Sequence, residues 1–382
     1  APLREPFPLF ARPNQSILES TMSTLDPTLH TLLHTGTVIP ADPLALTADK
    51  AIDIRHQRAL TRYYCAAGVG GIAVGVHTTQ FAIHDPACGL YEPVLRLAAM
   101  TADEARRDTP RPLLKIAGLV GPTSQALHEA NIALELGYHA GLLSLAAFRD
   151  ADDETLLTHC RAIAARIPVV GFYLQPAVGG RILGYDFWRR FVEIENVVAI
   201  KVAPFNRYQS IDVVRALADA GRANDIALYT GNDDNILADL ITEFQVGQGQ
   251  GAGEEGAIPT VRFVGGLLGQ WAVWTQQAVQ MLATIQQQRA AGTLDHAHWL
   301  RYGTQLTDAN AAIFDVAHSF RGCLPGIHWI LQQQGLMAGT ATLDPHEQLM
   351  PGQVAALARV CAAYPWLTDD GFVAAHRAAW LA

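Results

Sequence analysis

Charge is what this sequence has least of. Only 16% of the 382 residues are charged, half are hydrophobic, and 36 Asp and Glu outnumber 27 Lys and Arg for a net charge of −9. So apolar a composition excludes a disordered chain and suits a compact enzyme. The acidic balance, with no local cluster of Lys or Arg, excludes a nucleic-acid surface. The five cysteines, Cys65, Cys88, Cys160, Cys323 and Cys361, are odd in number, scattered and without a C-x-x-C pair. That pattern predicts a reduced, cytoplasmic protein with no structural zinc on cysteine. No apolar run approaches the length of a membrane span. The opening "APLREPFPLFARPNQ" carries prolines and charges where a signal peptide needs an apolar core, so secretion is not indicated. Met22 opens "MSTLDPTLH", which reads as a natural start and leaves residues 1–21 as a leader or an extra arm. Lysine itself is scarce: after Lys115 the chain keeps only Lys201.

What is present is a repeated pattern of short β-rich runs: "TVIPA" (37–41), "GIAVGV" (71–76), "LLKIAG" (113–118), "AGLLSL" (140–145), "PVVGFY" (168–173), "VVAIKV" (197–202), "IALYT" (226–230) and "GAIPT" (256–260). These runs are continuous in apolar character, as strands covered on both faces are. Segments with helical spacing lie between them. Thr123 or Ser124 is placed to cap one helix and Asp152 or Asp153 the next, while Gly137 and Gly221 sit where helices end. Eight strand–helix repeats predict an α/β protein, a (β/α)8 TIM barrel, over residues 35–290. The open doubly wound sheet is the alternative, but "PADPLAL" after the first run is no phosphate-binding turn. Residues 1–34 form the amino-terminal arm or leader. Beyond about residue 264 the strand pattern stops, and residues 291–382 read as a helical extension packed on the barrel or on a second subunit. The stretch "GQGQGAGEEG" (247–256) precedes the eighth run and reads as a surface loop on the face opposite the catalytic end.

In such a barrel the site is built at the carboxy-terminal ends of the strands. Lys201 lies near the end of the sixth run, inside "VVAIKV". A lysine projecting into an apolar barrel is desolvated, which lowers its pKa, and the neutral amine can attack a carbonyl to form a Schiff base. The plain alternative is a lysine paired with a carboxylate or reaching the barrel mouth. Tyr173 ends the fifth run, so adjacent strands would present a phenol beside the amine, fit to shuttle protons; alternatively it only packs. Thr78 and Thr79 end the second run and add hydroxyls and turn N–H groups suited to a carboxylate, or serve as ordinary turn residues.

The three motifs "HTT" (77–79), "YLQP" (173–176) and "IK" (200–201), in this order, resemble those of the dihydrodipicolinate synthase and N-acetylneuraminate lyase superfamily of Schiff-base barrel enzymes. The resemblance implies that Lys201 forms the imine, Tyr173 shuttles protons, Thr78 joins the relay, and Thr79 with nearby backbone holds the carboxylate of a 2-oxo acid such as pyruvate. It further implies a homo-oligomer, dimer or tetramer, and a mechanism needing no metal, nucleotide or flavin.

This chain also departs from the family pattern. His77 stands where the family has glycine, as a site acid or base or a histidine satisfied by backbone, and Gln80 follows the threonines. Phe148 aligns with a synthase tyrosine that comes from the neighbouring subunit. Val178 replaces the arginine two positions after the Tyr-x-x-Pro motif, with Arg181 nearby in a different register. These departures point away from dihydrodipicolinate synthase itself. Arg149, Arg207, Asn232, Asp233 and Arg262 are assigned to other top-face loops as candidates for recognising a second substrate. "HAHW" (296–299) is no metal site, because His296 and His298 point to different sides of a helix, and His84 with Asp85 is too little for one. The expected activity is aldol cleavage or condensation of a 2-oxo acid. A dehydratase using the same imine and a non-catalytic metabolite-binding barrel are the rivals.

Overall fold

A computed structural model describes residues 22–107, 110–247 and 259–382. Eight parallel strands line up in the chain: β1 (Val38–Pro40), β2 (Gly71–Val74), β3 (Leu114–Leu119), β4 (Ala140–Leu143), β5 (Val169–Leu174), β6 (Val197–Ala203), β7 (Ala227–Thr230) and β8 (Phe263–Leu268). Each pairs in parallel with the next from β2 to β8, and β8 pairs with β1. A single parallel bridge from Ala41 to Ala73, with Asp42 N–H donating to the Ala73 carbonyl at 2.8 Å, brings β1 beside β2 and closes the ring. This is a (β/α)8 TIM barrel. The helices between the strands are α2 (Ile54–Ala67), α3 (Tyr91–Ala105), α4 (Thr123–Glu135), α5 (Asp153–Ala164), α6 (Tyr185–Phe191), α7 (Arg207–Asp219) and α8 (Ile236–Ile241), with α9 (Thr275–Ala290) after β8 and α1 (Pro27–Thr35) ahead of β1.

Strand alternation divides the core in two. Ile39, Ile116, Leu142, Val170, Phe172, Ala203 and Tyr229 fill the barrel, whereas Val169, Tyr173, Ile200, Val202 and Leu228 face the surrounding helices. Because both faces are covered, the strands read as unbroken apolar runs. Asp152 caps α5 by accepting from Thr155 N–H, and Gly137 and Gly221 take φ of 75° and 66° at helix ends, as their residue types anticipate. Helix α4 behaves differently: it starts at Thr123 after Pro122 with no side-chain cap, and the Thr123 hydroxyl is engaged by His159 Nδ1 at 2.9 Å.

The eighth barrel strand is Phe263–Leu268, where the sequence pattern predicts the strands to stop at about residue 264. Its two glycines disguised it. A Cβ on Gly265 would stand 2.4 Å from the Thr37 carbonyl oxygen and 2.8 Å from the Tyr229 ring, and one on Gly266 would stand 2.6 Å from the Trp271 ring. The closing strand thus requires glycine where large rings press against it. Thr260–Val261 form a small antiparallel pair with Phe244–Gln245, and residues 248–258, which hold most of the Gly-rich stretch and the start of the 256–260 run, lie outside the described residues, as do residues 1–21.

After α9 come α10 (His296–Ile313), α11 (Cys323–Gln333), α12 (Gln353–Ala363) and α13 (Asp370–Trp380). α10 packs on α8 and α12, and α13 lies on α2, with the Trp380 and Tyr63 rings 5.5 Å apart. A buried polar knot ties the two parts together. The Tyr63 hydroxyl donates to Asp369 Oδ2 and accepts from Thr275 N–H, both at 2.7 Å, while Gln334 Nε2 donates to Asp369 Oδ1 at 2.9 Å. These bonds join α2, α9, the end of α11 and the start of α13, which fixes the register of the extension on the barrel, although Gln334 Oε1 has no partner among the described residues.

Candidate active site

Lys201 belongs to the inward set of β6, between Ala199 and Ala203, and only 7% of it is exposed. Phe172 is its neighbour on β5 and Tyr229 its neighbour on β7. Nζ lies 4.5 Å from the centroid of the Phe172 ring. Loss of water lowers the amine's pKa well below the usual lysine value, and the nearby Asp233 carboxylate works in the opposite direction. Gly231 makes room for the arm, since a Cβ there would come within 2.7 Å of Lys201 Cε.

The amine opens into an inner chamber of about 50 Å³ lined by His77, Thr78, Gln175, Phe205, Asp233 and Phe320 among others. His77, Val178 and Phe320 also line a wider outer cleft of about 800 Å³, bordered by Gln80, Arg321, Asp344 and Glu347. Backbone strain collects here. Gln80, Phe205, Ser319 and Phe320 all hold φ between 53° and 71°, a left-handed region unfavourable to residues with a Cβ.

The structure sorts the sequence candidates. Thr78 reaches the chamber, and so does His77, whose imidazole is pushed down to about 4 by burial, with the Lys201 charge adding to the effect. His77 is therefore a neutral ring near pH 7. Gln80 borders the outer cleft; its Oε1 accepts from Leu343 N–H at 2.6 Å, pinning the β2 loop to the carboxy-terminal segment, and its Nε2 has no partner among the described residues. Thr79 is turned away: its hydroxyl donates to the Asp42 carbonyl at 2.7 Å and accepts from Gly75 N–H at 3.0 Å, so it holds the turn instead of facing the chamber.

Tyr173 is the main correction. The register sets Phe172, not Tyr173, opposite Lys201, and successive side chains on a strand point to opposite faces. Tyr173 consequently lies outside the barrel, 5.2 Å from the Trp188 ring, where its hydroxyl donates to the Leu183 carbonyl at 2.9 Å and accepts from Leu183 N–H at 3.2 Å. The fifth strand therefore presents no phenol beside the amine, and the inward Tyr229 on β7 commits its hydroxyl to the Leu33 carbonyl at 2.8 Å.

Four more candidates are structural in their contacts. Arg181 donates to the carbonyls of Phe148 and Ala151, and the Phe148 ring sits 4.6 Å from that of His159. Arg207 pairs with the fully buried Asp239 at 2.5 Å. Asn232 donates to the same carboxylate at 2.9 Å and accepts from Phe205 N–H at 3.1 Å. Arg149 is exposed in the loop after β4. Arg262 precedes β8 and pairs with Glu243, so it belongs to the amino-terminal end of the barrel and not to the top face. His296 and His298 are exposed, and among the described residues no group of His, Cys, Asp and Glu is arranged to hold a metal.

Sequence reasoning missed the wall supplied from beyond the barrel. Phe314, Phe320, Cys323 and Ile327 close the inner chamber, and Ser319 to Leu324 with Asp344 to Met350 close the outer cleft. No local signal marks these residues, because their role depends on how α10 and α11 dock. Among the described residues no helix is long and apolar enough to cross a membrane.

Residues 36–249 match the sequence profile of the dihydrodipicolinate synthetase family. The 4-hydroxy-tetrahydrodipicolinate synthase of Aromatoleum aromaticum is 29% identical over 196 residues, which cover 50% of this chain and 62% of that relative. The chain thus spans less than two thirds of the length of that curated relative. In three dimensions it is similar to the chloride-inhibited dihydrodipicolinate synthase of Acinetobacter baumannii complexed with pyruvate, with a TM-score of 0.66 at 18% identity, covering 86% of this chain and 98% of that one. It is equally similar to CdNal of Clostridium difficile in complex with mannosamine, with a TM-score of 0.65 at 15% identity, covering 86% and 99%. At such identities the likeness is one of fold, and the two ligands differ.

Proposed function

This chain belongs to the dihydrodipicolinate synthetase family, and from that membership we propose that it is a Schiff-base lyase that cleaves or forms the carbon–carbon bond between C3 and C4 of a 2-oxo acid. The observation that carries this reading is Lys201: an inward, nearly buried amine over an aromatic ring, at the carboxy-terminal end of the barrel, with its pKa lowered by burial. Its neutral form attacks the 2-oxo carbon (C2) and water departs. The C3–C4 bond then breaks, its electron pair forming the C2–C3 double bond of an enamine as the iminium is neutralised, while the C4 hydroxyl loses its proton and becomes the aldehyde carbonyl. Thr78 and Gln175 offer hydroxyl and amide donors to the substrate carboxylate. The partner substrate differs from that of the synthases in this reading, because Val178 lines the chamber where they carry arginine and Arg181 is occupied with backbone carbonyls. The same imine would serve a dehydratase of a hydroxylated 2-oxo acid. The reading includes a homo-oligomer in the cytoplasm, with the chemistry done by side chains alone.

The test is borohydride reduction in the presence of pyruvate, followed by peptide mass spectrometry, with Lys201→Ala as control. A pyruvate-dependent adduct on Lys201 is expected. If neither pyruvate nor other 2-oxo acids and sugar acids leave an adduct, the protein is a binding barrel and not a lyase. Appearance of free pyruvate from a longer 2-oxo acid separates the lyase from the dehydratase.

A further inference from the structure

We propose that Asp233 is the proton-transfer residue of this site, the carboxyl group that protonates the departing hydroxyl as the Lys201 imine forms. The proposal rests on the imine reading and adds to it a catalytic group outside the three sequence motifs. Its starting point is the outward turn of Tyr173, together with Tyr229 on β7, whose hydroxyl donates to the Leu33 carbonyl at 2.8 Å and does not line the chamber, so neither phenol is placed as the acid.

Four titratable side chains line the inner chamber: His77, Lys201, Asp233 and Cys323. His77 stays neutral down to about pH 4, and burial raises the Cys323 thiol well above its ordinary range, so neither releases a proton near neutrality. Asp233 is the one carboxyl group among them. Burial raises its pKa, with the neighbouring Asp234 carboxylate adding to the rise, while the Lys201 charge and the Gln270 N–H oppose it. Acid and amine are thereby drawn toward each other in proton affinity, the condition under which a proton passes readily between them.

Geometry fixes where that carboxyl sits. The loop leaves β7 with Gly231 N–H bonded to the Val202 carbonyl at 2.8 Å, so Gly231 lies against the Lys201 arm and Asp233 follows two residues later. Oδ1 accepts from Gln270 N–H at 3.2 Å in the loop after β8. The Asp233 carbonyl accepts from Asn310 Nδ2 at 2.6 Å, a contact supplied by α10 from beyond the barrel. Among the described residues nothing hydrogen-bonds Oδ2, and no contact ion pair joins Asp233 to Lys201. Both groups line the same chamber.

The step balances. The Lys201 nitrogen bonds the carbonyl carbon to give a carbinolamine, and then the C–O bond breaks. The proton of Asp233 leaves with the hydroxyl as water, the nitrogen lone pair closes the C=N bond, and the carboxylate remains beside the iminium cation. Hydrolysis runs the same path in reverse.

The test measures borohydride-trapped pyruvate on Lys201 from pH 5 to pH 10 in the unaltered protein, Asp233→Asn and Asp233→Glu. It is paired with the pH dependence of Lys201 acylation without substrate. Asp233→Asn should slow trapping by about 10²-fold or more. It should also abolish the alkaline fall that marks loss of the acid proton and shift Lys201 acylation to lower pH, because the ammonium loses its counter-charge. Asp233→Glu should regain part of the rate and the alkaline limb. Trapping and acylation profiles in Asp233→Asn equal to those of the unaltered protein overturn the proposal alone. Absence of trapping in the unaltered protein overturns the imine reading, and this proposal with it.

Discussion

Replacing Gly231 by alanine probes the distance between the β7 loop and the Lys201 arm. Gly231 holds no left-handed φ, so alanine brings a methyl group and no backbone strain. Its Cβ would stand 2.7 Å from both Lys201 Cε and Ala203 Cβ, and 3.1 Å from Lys201 Cγ. Carbon atoms rest about 3.5–4.0 Å apart, so the lysine arm must withdraw by about 1 Å. Ala203 is a strand residue that cannot swing aside, and overpacking of this kind costs about 1–3 kcal/mol of stability. Misplacement of a reacting group by about 1 Å lowers the rate about 10²-fold, equivalent to about 2.7 kcal/mol of barrier. The assay is the single-turnover rate of borohydride-trapped imine, with urea unfolding measured on the same preparation. A variant that traps pyruvate at the parental rate and unfolds at the parental urea midpoint would show that Lys201 does not lie against the β7 loop, and the description of the site would fall with it.

Two further outcomes separate structure from chemistry. Tyr173→Phe should destabilise the fold by about 1–3 kcal/mol by stranding the Leu183 N–H and carbonyl, yet leave imine trapping within a few-fold of the parent; a large loss of trapping at unchanged stability would put the phenol back in the site. His328 is fully buried with its pKa pushed down to about 4. As pH falls, the unfolded chain binds the proton first, so the stability this ring contributes is complete above pH 6.5 and is lost between 6.5 and 4. His328→Leu should therefore lose about 3 kcal/mol less than the parent over that window, read by denaturant unfolding across pH. An acid-induced loss identical in the two proteins would contradict the burial of this ring.

Strand runs with both faces apolar belong to a barrel whatever their order of pairing, so seven of the eight strands could be read directly from "GIAVGV" and its counterparts. Lys201 stood out as one of two lysines inside apolar runs, but the other, Lys115 in "LLKIAG", turns outward to Asp103 at 3.0 Å, so strand register decided which of them enters the barrel. The eighth strand escaped notice because glycine is a poor strand residue until neighbouring rings from Tyr229 and Trp271 require it, and those rings come from other elements. Tyr173 was misplaced for a related reason: sequence shows that two strands are adjacent, but one residue of register decides which side chain faces which side. The acid beside the amine and the wall around it were least legible of all. Asp233 takes its place from Gln270 and Asn310, and the chamber is closed by Phe314, Phe320, Cys323 and Ile327. Local sequence determined the strands, since apolar runs and burial act within a few residues; the docking of α10 and α11 decided what surrounds the lysine, since those contacts join residues far apart in the chain, 77 positions in the case of Asn310 and Asp233.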